Sequence, residues 1–386
     1  MILPKIQNRC VRIWSARFAV LLTAGLIQVF PCLAYEDAEH TDIATQAREN
    51  YIDYVHGHTS TSVGLNAIGV HSPSFLWGAV QEDYEGNVPY REHFYDPMTG
   101  FGLERPLGAG HFKDAVTRAN EYWRNEVLPS YRDGHYGNAY RYLGRVAHLV
   151  SDMGVPAHVN LDYHGGPNSG GYDYYEHTYI NGHHIPTTTI ASGASVTAIM
   201  VAIAMPSRGF DSGSAVNGEG VNGITDAGVR GANGFTDPEC VQISSVCYPN
   251  AQAGVGGLLK LFYDTVKPTV SLTKPANGQL CSGIKGVSLA AKAHSYDKQF
   301  IDVDFIAKVS YQFELMPHVE DHWDNAAEAE SLGATGEYEA IWSNGINSNQ
   351  VLIRAQAVDQ GACESLPEAV MISIDSKRPE VKNTKP

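Results

Sequence analysis

Basic residues are scarce in this chain of 386 residues. Lys and Arg number 27 against 42 Asp and Glu, which gives a formal net charge of −15 at pH 7. Because proteins bind duplex nucleic acid mainly through Lys and Arg against phosphate, this balance argues against such a partner. It suits a protein that binds cations. Hydrophobic residues make up 43% and charged residues 18%, which excludes a disordered chain and favours packed cores.

The sequence also lacks an apolar run of about 20 residues, the length that spans a bilayer as a helix. The run Phe18–Phe30 is shorter, follows four basic residues and precedes the small residues that end at Ala34. This pattern is typical of a secretory signal more than of a membrane anchor. We therefore predict a signal peptide over 1–34, cleavage after Ala34, and a mature protein that is secreted or lies at the cell surface or in the periplasm.

Cysteine is scarce as well, and its spacing is not that of a metal site. Four of the six cysteines follow the predicted signal peptide: Cys240, Cys247, Cys281 and Cys363. An even number in an exported protein indicates disulfides. Cys240 with Cys247 would close a short loop, and Cys281 with Cys363 would tie the two ends of the C-terminal region, although the sequence alone does not fix the pairing.

Two hydrophobic patterns divide the chain near Lys267. Before this point helical periodicity dominates, at His40–Val55, Ala115–Leu128, Asn138–Met153, Ala191–Met205 and Gly257–Val266. After it, six short alternating runs separated by turn residues are typical of an all-β sandwich of the immunoglobulin-like type. We predict a multidomain protein, with an all-α helical domain over 35–267 followed by an all-β immunoglobulin-like sandwich domain over 268–386.

Histidine is abundant, and 13 of the 16 histidines lie between His40 and His184. The richest segment runs from His148 through Asp152 and Pro156 to His158. His148 and Asp152 are four residues apart on a predicted helix, so they project from one face. Pro156 ends that helix, which lets His158 turn back. A buried His beside a buried carboxylate needs compensation, and either a metal ion or a direct His–Asp salt link would supply it.

Further imidazoles and carboxylates stand elsewhere in the helical part, without thiolates. In chain order they are His40, Asp83, His93, Asp173 and Glu176. Such donors suit a catalytic zinc site that keeps a position open for water. There are too many of them for one ion, so we expect more than one.

The order of these motifs resembles the zinc-dependent phospholipase C family. The shared features are a His near the mature N-terminus, Asp-Tyr-Glu before His-Phe-Tyr-Asp-Pro, then His-x-x-x-Asp-x-x-x-Pro-x-His, and then a Tyr-Glu pair. The resemblance does not reach the β region. It implies a phospholipase C-like helical domain that holds up to three zinc ions. It also implies hydrolysis of the glycerol-side phosphodiester of phospholipids such as phosphatidylcholine, with a phospholipid or membrane surface as partner.

Carried over motif by motif, the resemblance implies three sets of zinc ligands. The first set is Asp83, His93, His148 and Asp152. The second is Asp152, His40 and the amino group of Tyr35, and the third is His158 and Glu176. The family usually has a His four residues before the last Glu, where this chain has Tyr172. Asp173 or His164 would then complete the third set. In the related single-strand-specific zinc nucleases the metal-binding His lies five residues after the first, as His40 does after Tyr35, which supports the predicted cleavage.

The resemblance also suggests residues that act on the substrate. Asp83 is the candidate general base, with a plain ligand role as the alternative. Tyr84 and Tyr90 stand where the family surrounds the choline ammonium, a contact worth about 0.5–2 kcal/mol for each ring. Two other functions stay open: a zinc phosphodiesterase acting on single-stranded nucleic acid, and a non-catalytic surface binding or adhesion protein, which Tyr172 would favour. The sequence does not identify the partner of the β region.

Overall fold

Helices dominate the chain as far as Val266, and strands occupy it from Thr269 onwards. The computed structural model describes residues 37–58, 64–84, 89–161, 189–210, 237–282, 285–297, 302–309, 324–328, 330–331, 336–343, 348–366 and 368–375. The predicted fold class, helices followed by strands in two sheets, is confirmed. The predicted signal peptide over 1–34 lies outside the described residues.

The helical part is built from amphipathic helices that share one core. They are α1 (Asp37–His58), α2 (Leu65–Gln81), α3 (Ala115–Tyr122), α4 (Leu128–Arg132), α5 (Tyr136–Asp152), α6 (Pro156–Val159), α7 (Val196–Ser207) and α8 (Asp237–Val266). Short 3₁₀ turns form at Glu82–Tyr84, Pro89–Glu92 and Pro106–Gly108, and a π-helical turn at Trp123–Val127 joins α3 to α4. The sequence did not predict α2, and it predicted only the end of α8. Among the described residues, no helix is both long and apolar enough to cross a membrane.

Two glycines let α2 and α5 approach closely. A Cβ added at Gly78 would lie 1.9 Å from the carbonyl oxygen of Arg141, and one at Gly144 would lie 2.0 Å from that of Phe75. Only glycine permits such an approach of two backbones. The contact fixes the C-terminal part of α2 against the middle of α5, one turn before the candidate ligand His148.

The strands form two sheets that share a second core. They are β1 (Thr269–Lys274), β2 (Leu280–Ser282), β3 (Val287–His294), β4 (Asp302–Val309), β5 (Asp324–Glu328), β6 (Glu330–Ser331), β7 (Glu337–Trp342), β8 (Ser348–Val358) and β9 (Glu368–Asp375). Among these strands the sheet orders are β1-β3-β7-β6 and β2-β9-β8-β4-β5. The first is the A-B-E-D order of an immunoglobulin sheet, and β4, β8 and β9 supply the C, F and G strands. Leu289 and Ile353, from opposite sheets, are both fully buried in the shared core.

The loop between β8 and β9 is buried against the helices. Cys363 in this loop belongs to the helical core. Tyr131 of α4 donates a hydrogen bond of 2.8 Å to Asp359. The backbone N–H of Gly64, at the start of α2, donates one of 2.9 Å to the carboxylate of Glu364. The strands therefore contribute to the helical core, and a carboxylate from their loop caps α2 at the favourable end of the helix dipole.

The expected disulfides are wrong for the cysteines that the structure describes. Cys281 and Cys363 are both free, because the first lies in the core of the sandwich and the second in the core of the helices. Cys247 is also free. It shares α8 with Cys240, seven residues away, which is about 10 Å along a helix. That separation is too long for a disulfide. The short loop expected between these two residues is a continuous helix.

Candidate metal centre

Six of the predicted ligands meet at one point in the helical part. His40 comes from α1, Asp83 from the turn after α2, His93 from the segment after Pro89–Glu92, His148 and Asp152 from the end of α5, and His158 from α6. Five of these side chains are almost completely buried, whereas that of Asp83 is 13% exposed. Glu176, Tyr35, Asp173 and His164 lie outside the described residues.

Asp152 lies at the centre of this group. Its carboxylate oxygens face one nitrogen of each histidine: Nδ1 of His93 at 3.1 Å, Nε2 of His148 at 3.4 Å, Nδ1 of His158 at 3.5 Å and Nε2 of His40 at 3.6 Å. Within the described part of the chain, neither oxygen has a hydrogen-bond partner. Four imidazoles therefore surround a buried carboxylate that makes no hydrogen bond with them.

A second carboxylate lies beside two of the same histidines. Oδ1 of Asp83 is 3.5 Å from Nδ1 of His93 and 3.5 Å from Nε2 of His148. Those two nitrogens are 3.3 Å apart. Two groups of donors are thus compact enough to hold an ion, with all their ligand atoms within 4.8 Å of one another: His40, His148 and Asp152, and Asp83, His93 and His148. His148 belongs to both groups.

The separations suit donors that share a metal ion. Two donors bound to one tetrahedral zinc at about 2.0–2.1 Å lie about 3.3 Å from each other. The carboxylate of Asp152 lies 3.1 and 3.4 Å from the nitrogens of His93 and His148 and 3.6 Å from that of His40. A direct N–H···O bond is about 2.7–3.2 Å long and well aligned, and neither oxygen of Asp152 makes one with the described residues. Imidazole and carboxylate donors also suit zinc, so these side chains could hold a metal ion, one of the two alternatives that the sequence left open.

Hydrogen bonds behind the ligands fix which nitrogen of two rings faces the cluster. Nδ1 of His148 is 2.7 Å from the carbonyl oxygen of Ala79. A carbonyl only accepts, so this nitrogen carries the hydrogen and Nε2 faces inward. Ser151 donates to the carbonyl oxygen of His148 at 2.7 Å, so its oxygen accepts from Nδ1 of His40 at 2.8 Å. Such partners orient metal-binding histidines and set their tautomers.

The buried charges shift the pKa values of the cluster in opposite directions. Burial, helped by the neighbouring His148, holds the pKa of His40 well below its usual value. Burial also opposes charge on His148, but the carboxylates of Asp83 and Asp152 outweigh it and raise the pKa of His148 to about 10. Burial likewise opposes ionisation of Asp83, yet the imidazoles of His148, His93 and His40 hold the pKa of Asp83 below its usual range. A bound cation would replace the proton on His148 as the balancing charge.

The His-Phe-Tyr-Asp-Pro segment is held in place by its own backbone. The N–H of Tyr95 donates to the carbonyl oxygen of His158 at 3.1 Å, which joins the two ligand-bearing segments. The Phe94 ring lies 4.7 Å from the His158 ring. Asp96 does not face the cluster; it accepts hydrogen bonds from the N–H of Met98 and the hydroxyl of Thr99, each 2.9 Å long. The Asp of this motif therefore closes the turn that follows His93.

The two candidate substrate residues flank the cluster in sequence. Tyr84 directly follows Asp83, and its side chain is 60% exposed. Tyr90 lies in the 3₁₀ turn Pro89–Glu92 that leads into His93. Sequence reasoning missed two residues beside the ligands, Ser151 and Glu82. The hydroxyl in the His-x-x-Ser-Asp spacing and the acid preceding Asp83 are the only signals for them, and neither is specific.

Comparisons with known proteins give structural neighbours only. No protein-family model matches the sequence, and no curated protein matches it. Alpha toxin from Clostridium absonum is similar, with a TM-score of 0.47 and 13% identity over 87% of this chain and 96% of that one. Alpha-toxin of Clostridium perfringens from avian strain SWCP has a TM-score of 0.43 and 14% identity over the same shares. Fibronectin(III)-like modules of Clostridium thermocellum CbhA match 30% of this chain and 50% of that one, with a TM-score of 0.21 and 25% identity.

Proposed function

We propose that the protein is an exported zinc-dependent phosphodiester hydrolase of the phospholipase C type. Its substrate would be the glycerol-side phosphodiester of phospholipids such as phosphatidylcholine. The observation that carries the proposal is the buried carboxylate of Asp152, which lies 3.1 to 3.6 Å from four imidazole nitrogens without a hydrogen bond in the described part of the chain. The order of motifs in the sequence supplies the reaction type.

The ligands divide among as many as three ions. We assign Asp83, His93, His148 and Asp152 to one ion, Asp152, His40 and the amino group of Tyr35 to a second, and His158 with Glu176, aided by Asp173 or His164, to a third. When bound, zinc would stabilise the negative charge that develops on the phosphate oxygens and lower the pKa of a water molecule to near neutral. The compact donor groups support the first two assignments. The third assignment depends on Glu176, Asp173 and His164, which lie outside the described residues.

Asp83 is the proposed acceptor of the proton from the attacking water. It is the most exposed of the six candidate ligands that the structure describes. Its lowered pKa keeps it ionised at neutral pH, as a metal ligand must be, and zinc would lower the pKa of the water whose proton it accepts. The exposed Tyr84 beside it, together with Tyr90, would offer aromatic faces to a quaternary ammonium head group.

The test uses three substrates and a chelator. We expect the purified mature protein to contain zinc and to release diacylglycerol from phosphatidylcholine and nitrophenol from bis(nitrophenyl) phosphate. Dipicolinate should abolish both activities, and added zinc should restore them. Cleavage of single-stranded DNA alone would instead identify a nuclease. Zinc content without turnover on any substrate would identify a binding protein.

Export and the division into domains remain part of the proposal. N-terminal sequencing of protein recovered from the culture medium or the periplasm should begin at Tyr35, which would also free the amino group assigned to the second ion. Recovery of an unprocessed N-terminus from the cytoplasm would contradict both the proposed export and the assignment of the Tyr35 amino group to the second ion. The immunoglobulin-like sandwich would serve attachment to a membrane surface or another partner that its fold does not identify.

A further inference from the structure

Arg118 of α3 joins two chain segments that carry candidate ligands. Its Nε donates to Oε1 of Glu82, and its Nη1 donates to Oε2 of Glu92 at 2.6 Å. Glu82 directly precedes Asp83, and Glu92 directly precedes His93. One guanidinium therefore holds the two glutamates that precede Asp83 and His93 in the chain. Oδ1 of Asp83 and Nδ1 of His93 lie 3.5 Å apart.

The same guanidinium neutralises a charge that lies behind one of these ligands. Glu82 is completely buried. Its Oε1 is 3.9 Å from Nε2 of His93, the ring nitrogen opposite the one that faces the cluster. Nη2 of Arg118 also donates to the hydroxyl of Tyr122 at 2.8 Å, and that hydroxyl lies 3.3 Å from Oε1 of Glu82. Nη1 of Arg145 approaches the other oxygen of Glu82 at 3.7 Å.

We propose that Arg118 is a positioning residue for the metal centre. It holds Glu82 and Glu92, and through them it keeps Asp83 and His93 at the separation that one ion requires. The proposal rests on the metal centre of the proposed function, although not on its substrate. Arginine suits the task because its planar fork presents several donors at fixed angles, whereas a lysine ammonium is a single point charge. Loss of partners behind metal ligands typically costs about 10–100-fold in metal affinity.

The test titrates metal-free protein with Co²⁺ and follows the visible absorption of the bound ion. We expect Arg118→Ala and Arg118→Lys each to lower the affinity for at least one Co²⁺ ion by about 10–100-fold. The absorption spectrum of that bound ion should also change. The matched control is Arg132→Ala. This arginine lies on α4, which carries no candidate ligand, and its Nε donates to Asp133 at 3.1 Å. Its affinity for Co²⁺ should stay within a factor of about three of the wild type, the ordinary scatter of surface effects.

A double-mutant cycle separates positioning from general stability. If Arg118 acts through Asp83 and His93, Arg118→Ala should cost little further affinity in a His93→Ala background and its full effect in a His40→Ala background. Equal losses in both backgrounds, or none in Arg118→Lys, would overturn the proposal. If Arg118→Ala fails to fold, Arg118→Lys and Glu92→Gln replace it in the same two backgrounds, His93→Ala and His40→Ala. Wild-type protein that binds Co²⁺ but cleaves no lipid would refute the proposed substrate and leave this inference standing.

Discussion

Replacing Asp152 with Asn tests the metal centre most directly. The substitution keeps the size of the side chain and removes the charge that faces the four imidazoles at 3.1 to 3.6 Å. Asp152 is 1% exposed, so water does not compensate for the loss. Removing one partner of a buried charge pair typically costs about 3–5 kcal/mol. At about 1.4 kcal/mol for each factor of ten, this predicts a loss of zinc affinity of about 140- to 3,700-fold.

The assay is competition for zinc against a chromophoric chelator, combined with elemental analysis of the protein after dialysis. Asp359→Asn is the matched control. Asp359 is also an aspartate and is 5% exposed, but its partners are Tyr131 and the N–H of Cys363, each at 2.8 Å, and not the four histidines around Asp152. We expect Asp359→Asn to keep its zinc at the same pH. Equal zinc content and affinity in the two variants would refute the reasoning that places Asp152 at the centre of the site.

Three further predictions concern a buried carboxyl group outside the cluster, a hydroxyl behind one candidate ligand and the close contact of α2 with α5. Burial raises the pKa of Asp359 to about 7, with the charge of Asp297 adding to it and the bonds from Cys363 and Tyr131 opposing it. The folded state thus keeps a proton that the unfolded chain releases near pH 4, so this residue lowers the free energy of unfolding as the pH rises from about 4 to 7, by up to about 1.4 kcal/mol for each pH unit. The stability of Asp359→Asn in urea, relative to wild type, should therefore rise across that window, and a constant difference would contradict the assignment. Ser151→Ala removes the acceptor for His40 and should weaken zinc by about 10–100-fold. Ser207→Ala removes an equally buried hydroxyl, which donates to the carbonyl oxygen of Ile203, and should leave the zinc affinity unchanged. Equal losses of affinity in the two variants would argue against orientation of His40 by Ser151. Gly144→Ala places a Cβ 2.0 Å from the carbonyl oxygen of Phe75 and should lower the free energy of unfolding by about 1–3 kcal/mol or more, measured as a fall in Tm. Gly137→Ala on the same helix meets only Ser74 at 3.9 Å and should be neutral or slightly stabilising, so an equal fall in Tm would exclude the close approach as the cause.

Local patterns predicted the parts of the site that lie on one element. The four-residue spacing of His148 and Asp152 places both on one face of α5, as helical geometry requires. Pro156 cannot continue α5 and instead begins α6. This break turns His158 back until its Nδ1 lies 3.5 Å from Asp152. These relations need no knowledge of the rest of the fold, because each is fixed within about ten residues of chain.

The helices that the sequence missed contain residues that usually end a helix. Pro73 lies inside α2, and Pro249 lies inside α8. Burial outweighs the intrinsic cost of these residues, since Phe75 and Phe262, on these two helices, are completely buried. Propensity alone cannot reveal that outcome, because it depends on partners far away in sequence. For the same reason the spacing of the cysteines could not show that Cys281 and Cys363 lie in different cores.

The centre of the site is therefore a product of packing between distant segments. His148 is oriented by the carbonyl of Ala79, and that carbonyl reaches it because Gly78 and Gly144 allow α2 to lie directly against α5. The opposite end of α2 is capped by Glu364 from the loop after β8. The helix that positions one side of the candidate metal centre is thus held at its start by the carboxylate of Glu364 and along its length by α5. Loss of that carboxylate can therefore reach the candidate ligands through α2, although Glu364 itself need not contact them.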